Sequence, residues 1–234
     1  MTSQIAISPQ MAGNTKSTMR EESARYALMR RIAPALRHHM AGTLQPIGMI
    51  SAILDRRLQA AEPDLNVLRE NSKSISTLSR SAASACMNLI TWVAPKENGV
   101  IPLHAGVEEC VGMLATDLAF RGFSVTNSIS TADISMPLTT LRTVFTAALI
   151  ALTDTSRAPA TVLLACEPAG DQTRIRITVT PEPNAALPEE ARQYRALGLD
   201  DVQALADAEN IALRYKETWV EMLFTSVQKD ELIA

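Results

Sequence analysis

Two of the three histidines in this chain stand side by side, His38 and His39, in the stretch Arg37-His38-His39-Met40-Ala41-Gly42-Thr43-Leu44-Gln45-Pro46-Ile47. A neutral imidazole has a free ring nitrogen near pH 7 and can act as a nucleophile when it is exposed and rigidly held. The stretch lies inside a long run of helical period. At about 100° per residue, Leu36, Met40, Thr43, Leu44, Ile47, Ile50 and Leu54 share one face. His38 falls about 180° from the centre of that face, and His39 about 90° from it, at the edge. The pattern predicts His38 in solvent. The plain alternative is two polar residues on a solvated helix. The third histidine, His104, stands alone before a helix and carries no site.

The stretch resembles the phosphoacceptor box of sensor histidine kinases. On that pattern His38 is the phosphoacceptor, Met40 the apolar position, Leu44 the leucine and Ile47 the isoleucine. Three positions depart from it. His39 replaces an acid, Gly42 replaces the threonine or asparagine used in phosphatase work, and Thr43 stands where proline is usual. The resemblance implies supporting roles for His39 and Arg37 around His38. Arg37, with Arg30 and Arg31, would attract the acidic mouth of a response-regulator receiver domain.

The elements around His38 follow from period and breakers. Residues 1–20, rich in Ser, Thr, Gln and Asn, read as a flexible tail. Residues 21–61 read as one long helix, with Pro46 producing a kink just after the histidines or splitting the run in two. Ala61-Glu62-Pro63-Asp64 is a turn whose Asp64 caps a second helix, which runs to about Ala94. Leu65, Leu68, Ser72, Ile75, Leu78 or Ser79, Ala82, Cys86, Leu89 and Val93 step by threes and fours, as in a coiled-coil seam. Residues 21–95 thus form an antiparallel hairpin with half-covered stripes, and two copies would close a four-helix bundle. A homodimer is expected.

After a turn at 96–99 the chain alternates short strands and helices through residue 228. Val100–Leu103, Phe123–Ile129, Thr161–Glu167, Thr173–Thr180, Ile211–Lys216 and Val220–Val227 read as strands. Ala105–Arg121, Leu138–Thr155 and Asp200–Asn210 read as helices. The fold class is α+β, a helical hairpin followed by an α/β layer with helices on one face of a sheet.

Residues 100–228 resemble the ATP-binding domain that follows the hairpin in histidine kinases, with its nucleotide motifs absent. Ala147 and Ala151 occupy the asparagine positions of the helix at 138–155, and a methyl group cannot hold magnesium. Val179-Thr180-Pro181-Glu182-Pro183-Asn184-Ala185 has neither the aspartate that reads adenine nor its glycines. Ala196-Leu197-Gly198-Leu199 keeps one glycine of the loop whose amides meet the phosphates. No nucleotide-binding residue, metal ligand or cofactor is assigned; magnesium would come with a receiver.

Composition narrows the partners. Aromatics make up 4% of the chain, too few for a base-stacking surface, and the net charge is −3, so nucleic acid is not expected. Residues 20–57 carry seven basic and three acidic side chains, whereas residues 158–234 carry seven and thirteen. The basic segment surrounding His38 suits an acidic partner or phosphate. Cys86, Cys110 and Cys166 form no disulfide or zinc pattern. No apolar run reaches the ~18 residues of a membrane span and no signal segment opens the chain, so a cytoplasmic protein is expected. Two functions compete at this point. One is a histidine phosphotransfer protein working between receivers without ATP. The other is a non-catalytic binding protein that sequesters a receiver or partners a true kinase.

Overall fold

The computed structural model describes residues 9–93, 99–129, 134–170, 172–187 and 195–225, with side chains from Ser17 onward, Val93 excepted. The chain divides into two compact units, one of residues 33–96 and the other of residues 1–32 with 97–234.

The first unit is a helical hairpin. Helix α1 spans Pro9–Leu58 and α2 spans Leu65–Val93. The helix at 21–61 is therefore longer at its start and shorter at its end than the sequence pattern indicated. Residues 1–8 of the expected tail lie outside the described residues, and residues 9–20 are helical. Proline suits a first helical turn, where its missing N–H has no partner to lose, and a nucleated helix adds residues readily. Both Pro34 and Pro46 sit inside α1, which stays helical through them. Beside Pro46, the Thr43 hydroxyl donates to the carbonyl of Met40 at 2.9 Å and to that of His39 at 3.3 Å. Asp64 caps α2 as expected, its Oδ1 accepting from the amides of Asn66 and Val67 at 2.9 and 3.3 Å.

Burial on α2 repeats every seven residues, at 68, 75, 82 and 89 and at 71, 78, 85 and 92. The seam therefore runs through Asn71, where the sequence pattern placed Ser72, and takes in both Ala85 and the expected Cys86, with Trp92 buried at its end; the expected Val93 lies outside the residues whose side chains are described. Period alone fixes a stripe only to within one residue on the wheel. On the part of α1 within this unit the half-buried positions are Ala35, Leu36, Thr43, Pro46, Ile47, Ile50 and Leu54, while Met40 and Leu44, expected on the same face, are exposed.

The second unit is a layer of helices on a sheet. Strand β1 (Val100–Pro102) pairs antiparallel with β3 (Ser135–Pro137), a strand too short to show in the sequence. Between them lie α3 (Leu103–Phe120) and β2 (Phe123–Asn127). Gly122 makes the turn at φ +82°, a conformation that favours glycine. Helix α4, residues 138–155, is regular except for one π-helical turn at Leu141–Phe145. Strands β4 (Ala158–Ala169) and β5 (Gln172–Ala186) precede α5 (Leu199–Ala208), and β6 (Ala212–Lys216) and β7 (Trp219–Thr225) form the closing hairpin. The five-stranded order is β2-β4-β5-β7-β6, with β2 and β4 parallel and the other pairs antiparallel.

Strand alternation makes one face of this sheet apolar. Val162 and Leu164, Ile175 and Ile177, and Met222 and Phe224 are fully buried there. Helix α4 is the centre of the core: Val144, Phe145, Ala147, Leu149, Ala151 and Leu152 are all out of solvent. The start of α1 belongs to this unit. Ala24, Ala27, Leu28 and Ile32 recur at helical spacing and are buried, each large aliphatic chain contributing about 1.5–3 kcal/mol.

Candidate functional site

In the hairpin unit, Arg37, His38 and His39 are all exposed. Exposure alone does not separate the two histidines; the half-buried stripe does. Leu36, Thr43, Ile47, Ile50 and Leu54 define its direction, and His38 lies on the far side of α1 from it. His39 is nearer the stripe. The outward ring of His38 is exposed on the side of α1 away from its packed face.

The arginines expected at a docking face are placed differently. Arg30 and Arg31 belong to the other unit. Arg30 is exposed and donates to the Tyr26 hydroxyl at 2.8 Å, its guanidinium carbon 5.5 Å from the centre of that ring. Arg31 is committed elsewhere. Its Nη2 donates to Oδ1 of Asp154 at 2.8 Å, and Arg121 Nη2 reaches the same oxygen at 3.0 Å. The Asp154 side chain is fully buried and both arginines are 16% exposed. A carboxylate in the last turn of a buried helix faces the negative end of the helix dipole, so it requires cations. Arg31 thus fixes the start of α1 onto the α/β unit, and Arg37 is the cation that stands beside His38 in its own unit.

The three places where the resemblance implies nucleotide motifs have concrete structures. Ala147 and Ala151 are wholly buried in the core, where neither offers an oxygen or a face to solvent. Past Thr180, where a glycine turn would open, β5 continues as strand to Ala186. The register pairs Ala160 with Pro181 and, after a bulge, Ala158 with Ala186. The start of α5 is acidic. Asp201 Oδ2 accepts from the amide of Gly198 at 2.9 Å, and Arg195 Nη1 and Nη2 donate to Oδ2 and Oδ1 at 2.6 and 2.9 Å. Partial burial works to raise the Asp201 carboxyl, but the bonds from Arg195 and from Gly198 outweigh it and hold it below the usual aspartate range. A helix N-terminus that already holds its own carboxylate, with Asp200 beside it, is a poor seat for a phosphate.

Other buried polar groups are structural. Arg142, 3% exposed, pairs with Glu109, its Nε donating to Oε1 at 3.0 Å. Burial pushes the Cys110 thiol up to about 12, which makes it inert. His104 Nδ1 lies 3.6 Å from Glu108 one turn along α3. Among the described residues, no three His, Cys, Asp or Glu side chains gather as a metal site, and no helix is long and apolar enough to cross a membrane. Sequence reasoning missed the Asp154 cluster. An aspartate closing an otherwise apolar helix was its one visible signal.

No protein-family description and no curated protein matches the chain. Solved structures do. AdeS of Acinetobacter baumannii is 16% identical with a TM-score of 0.41, over 75% of this chain and 94% of that one. A protein from Burkholderia phymatum is 14% identical with a TM-score of 0.41, over 91% and 98%. ThkA, in complex with the response regulator TrrA, is 14% identical with a TM-score of 0.38, over 94% and 67%. These similar structures are histidine kinases. At TM-scores this low the likeness carries no functional weight, and the chemistry has to be read from the side chains.

Proposed function

We propose that the chain is a histidine phosphotransfer protein of two-component signalling, which passes a phosphoryl group between receiver domains through His38 without using ATP. The observation that carries this reading is the exposed imidazole of His38 on the side of α1 away from its half-buried stripe. The lone pair of a neutral ring nitrogen attacks the phosphorus of a receiver's aspartyl phosphate. The bond from phosphorus to the aspartate oxygen breaks and the carboxylate leaves with its electron pair. The phosphoimidazolium then sheds its remaining N–H proton to solvent. The reverse sequence delivers the group to a second receiver. Such a transfer asks the histidine protein only for an exposed nucleophile and a docking face, since near-attack geometry needs reacting atoms ~3 Å apart with clear access. Magnesium and the acidic groups around the phosphoryl belong to the receiver. Arg37 contributes attraction that weakens as salt is added.

The burial of Ala147 and Ala151 and the unbroken β5 favour transfer over ATP-dependent phosphorylation. A second copy of the chain is the proposed cover for the apolar side chains that the hairpin leaves exposed. The test uses a receiver domain phosphorylated beforehand. Native chain becomes labelled with an acid-labile phosphoryl group, His38→Gln does not, and His39→Gln only slows. Magnesium-ATP alone gives no label. Full labelling of His38→Gln would assign the wrong histidine. Binding of the receiver with no label on any variant would replace transfer by the binding-only reading.

A further inference from the structure

Side chains alternate across a strand, so the five-stranded sheet has a second face, opposite its helices. The register lays that face out in rows. Lys216 on β6, Trp219 on β7, Thr178 on β5 and Leu163 on β4 form one row. The next is Arg214, Glu221, Arg176 and Ala165, and the one after is Ala212, Leu223, Arg174 and Glu167. Residues 158–234 carry seven basic and thirteen acidic side chains, and these three rows take four of the seven but two of the thirteen. The face is therefore positive where its surrounding sequence is negative. The guanidinium carbon of Arg176 lies 4.5 Å from the centre of the Trp219 ring, and Lys216 Nζ lies 6.0 Å from it. Arg176 Nε is 3.6 Å from Glu221 and Arg174 Nη1 is 3.7 Å from Glu167, loose pairs longer than hydrogen bonds. Arg214 and Lys216 meet no carboxylate among the described residues. Both are exposed, as is Arg176, and Leu163 is 41% exposed beside them.

We infer that this open face of the sheet is a docking surface for an acidic protein segment, a role independent of transfer at His38. The cations stand in two columns, Arg174 and Arg176 on β5 and Arg214 and Lys216 on β6. Within a column they repeat every two strand residues, about 6.8 Å, which is also the spacing of carboxylates at alternate positions of an extended chain. A guanidinium over an indole is held in place and keeps N–H groups for a carboxylate, which it can meet with two parallel bonds. Trp and Arg are the side chains that carry most energy at the centre of protein interfaces, and Leu163 and Leu223 supply apolar contact around them. Charge decides between occupants. A second copy would bring the same cations against these and be repelled. Nucleic acid fits less well, because the three rows hold one aromatic ring and a base-stacking sheet uses two or more.

The test titrates the full chain into a fluorescein-labelled peptide that alternates Glu and Thr. Anisotropy reads binding and tryptophan fluorescence reads its place, since Trp92 is 5% exposed and the response should come from Trp219. Native chain binds saturably, less tightly as salt is added, and the tryptophan response disappears in Trp219→Phe. Arg214→Glu with Lys216→Glu weakens binding at least about tenfold with unchanged circular dichroism. Arg214→Gln with Lys216→Gln, which adds no repulsion beside Glu221, weakens it by a smaller factor. The peptide with Gln in place of Glu does not bind. Absence of saturable binding overturns the inference. So does equal binding by native chain and the Gln pair, which would place the peptide on the basic segment around His38 instead. An oligothymidylate or phosphatidylserine vesicles that bind native chain more tightly than the peptide, and lose that binding in the same variants, would assign the face to phosphate and overturn it too.

Discussion

In the α/β unit, Val144, Phe145, Leu149 and Phe224 are all fully out of solvent, whereas in the hairpin Met49 is 59% exposed and Met87 63%. The two regions draw on similar residue types and differ in what covers them. Helix α4 has a sheet, two helices and the start of α1 around it, so its core closes within one chain. The hairpin has two helices, and two helices can shield only the stripe between them. The difference shows where each region can bear function. In the closed unit Ala147 and Ala151 serve packing, and Asp154 and Asp201 serve ion pairs. The open unit leaves the imidazole of His38 and several large apolar side chains exposed, the features on which the proposed transfer and dimer rest.

The strongest way to break this comparison is at Asp154. Replacing it with alanine leaves Arg31 and Arg121 without their shared carboxylate and should lower stability by about 3–5 kcal/mol in urea unfolding. A loss under about 1 kcal/mol would mean that the closed unit does not depend on this junction. Next comes a matched pair of insertions. Ala151→Leu overfills the core of α4 and should cost about 1–3 kcal/mol, while Ala52→Leu, on an exposed part of α1, should change stability by no more than about 0.5 kcal/mol. Equal effects would show that the two regions do not differ in packing as described.

The smallest effect concerns Asp201. Its carboxyl is held below the ordinary range by Arg195 and Gly198 against the opposing pull of burial, so the folded state favours the ionised form. That contribution is fully present above the free-aspartate value of about 3.9 and is lost as pH falls through the folded value. Because Arg195 is largely exposed, the contribution is at most about 1 kcal/mol. Asp201→Asn should flatten the acid side of a stability-against-pH curve below about pH 4 and leave the neutral side lower by that amount. An unchanged acid limb in the variant would remove the claim that this carboxylate is committed to the helix start.

Much was legible in the chain before any packing was known. The spacing of Leu36, Ile47, Ile50 and Leu54 sets the outward direction of His38, because helical period is a local property. The alternation of Arg174-Ile175-Arg176-Ile177-Thr178-Val179 marks a strand with one buried face for the same reason. That Ala147 and Ala151 offer no side-chain oxygen is likewise a fact of residue type. The seam through Asn71 rather than Ser72 was not legible, since neighbouring stripes on a helix differ by one residue. Strand β3 is three residues long and exists through its pairing with β1. The continuation of β5 past Pro181 depends on β4 lying beside it. Arg31 shows the limit most plainly. Read locally it is a surface cation near two histidines, yet its carboxylate partner lies 123 residues away in the chain. No period carries that information. The pairing arises when α1 and α4 are packed in one unit and a buried carboxylate must be neutralised, a condition set by the tertiary structure alone.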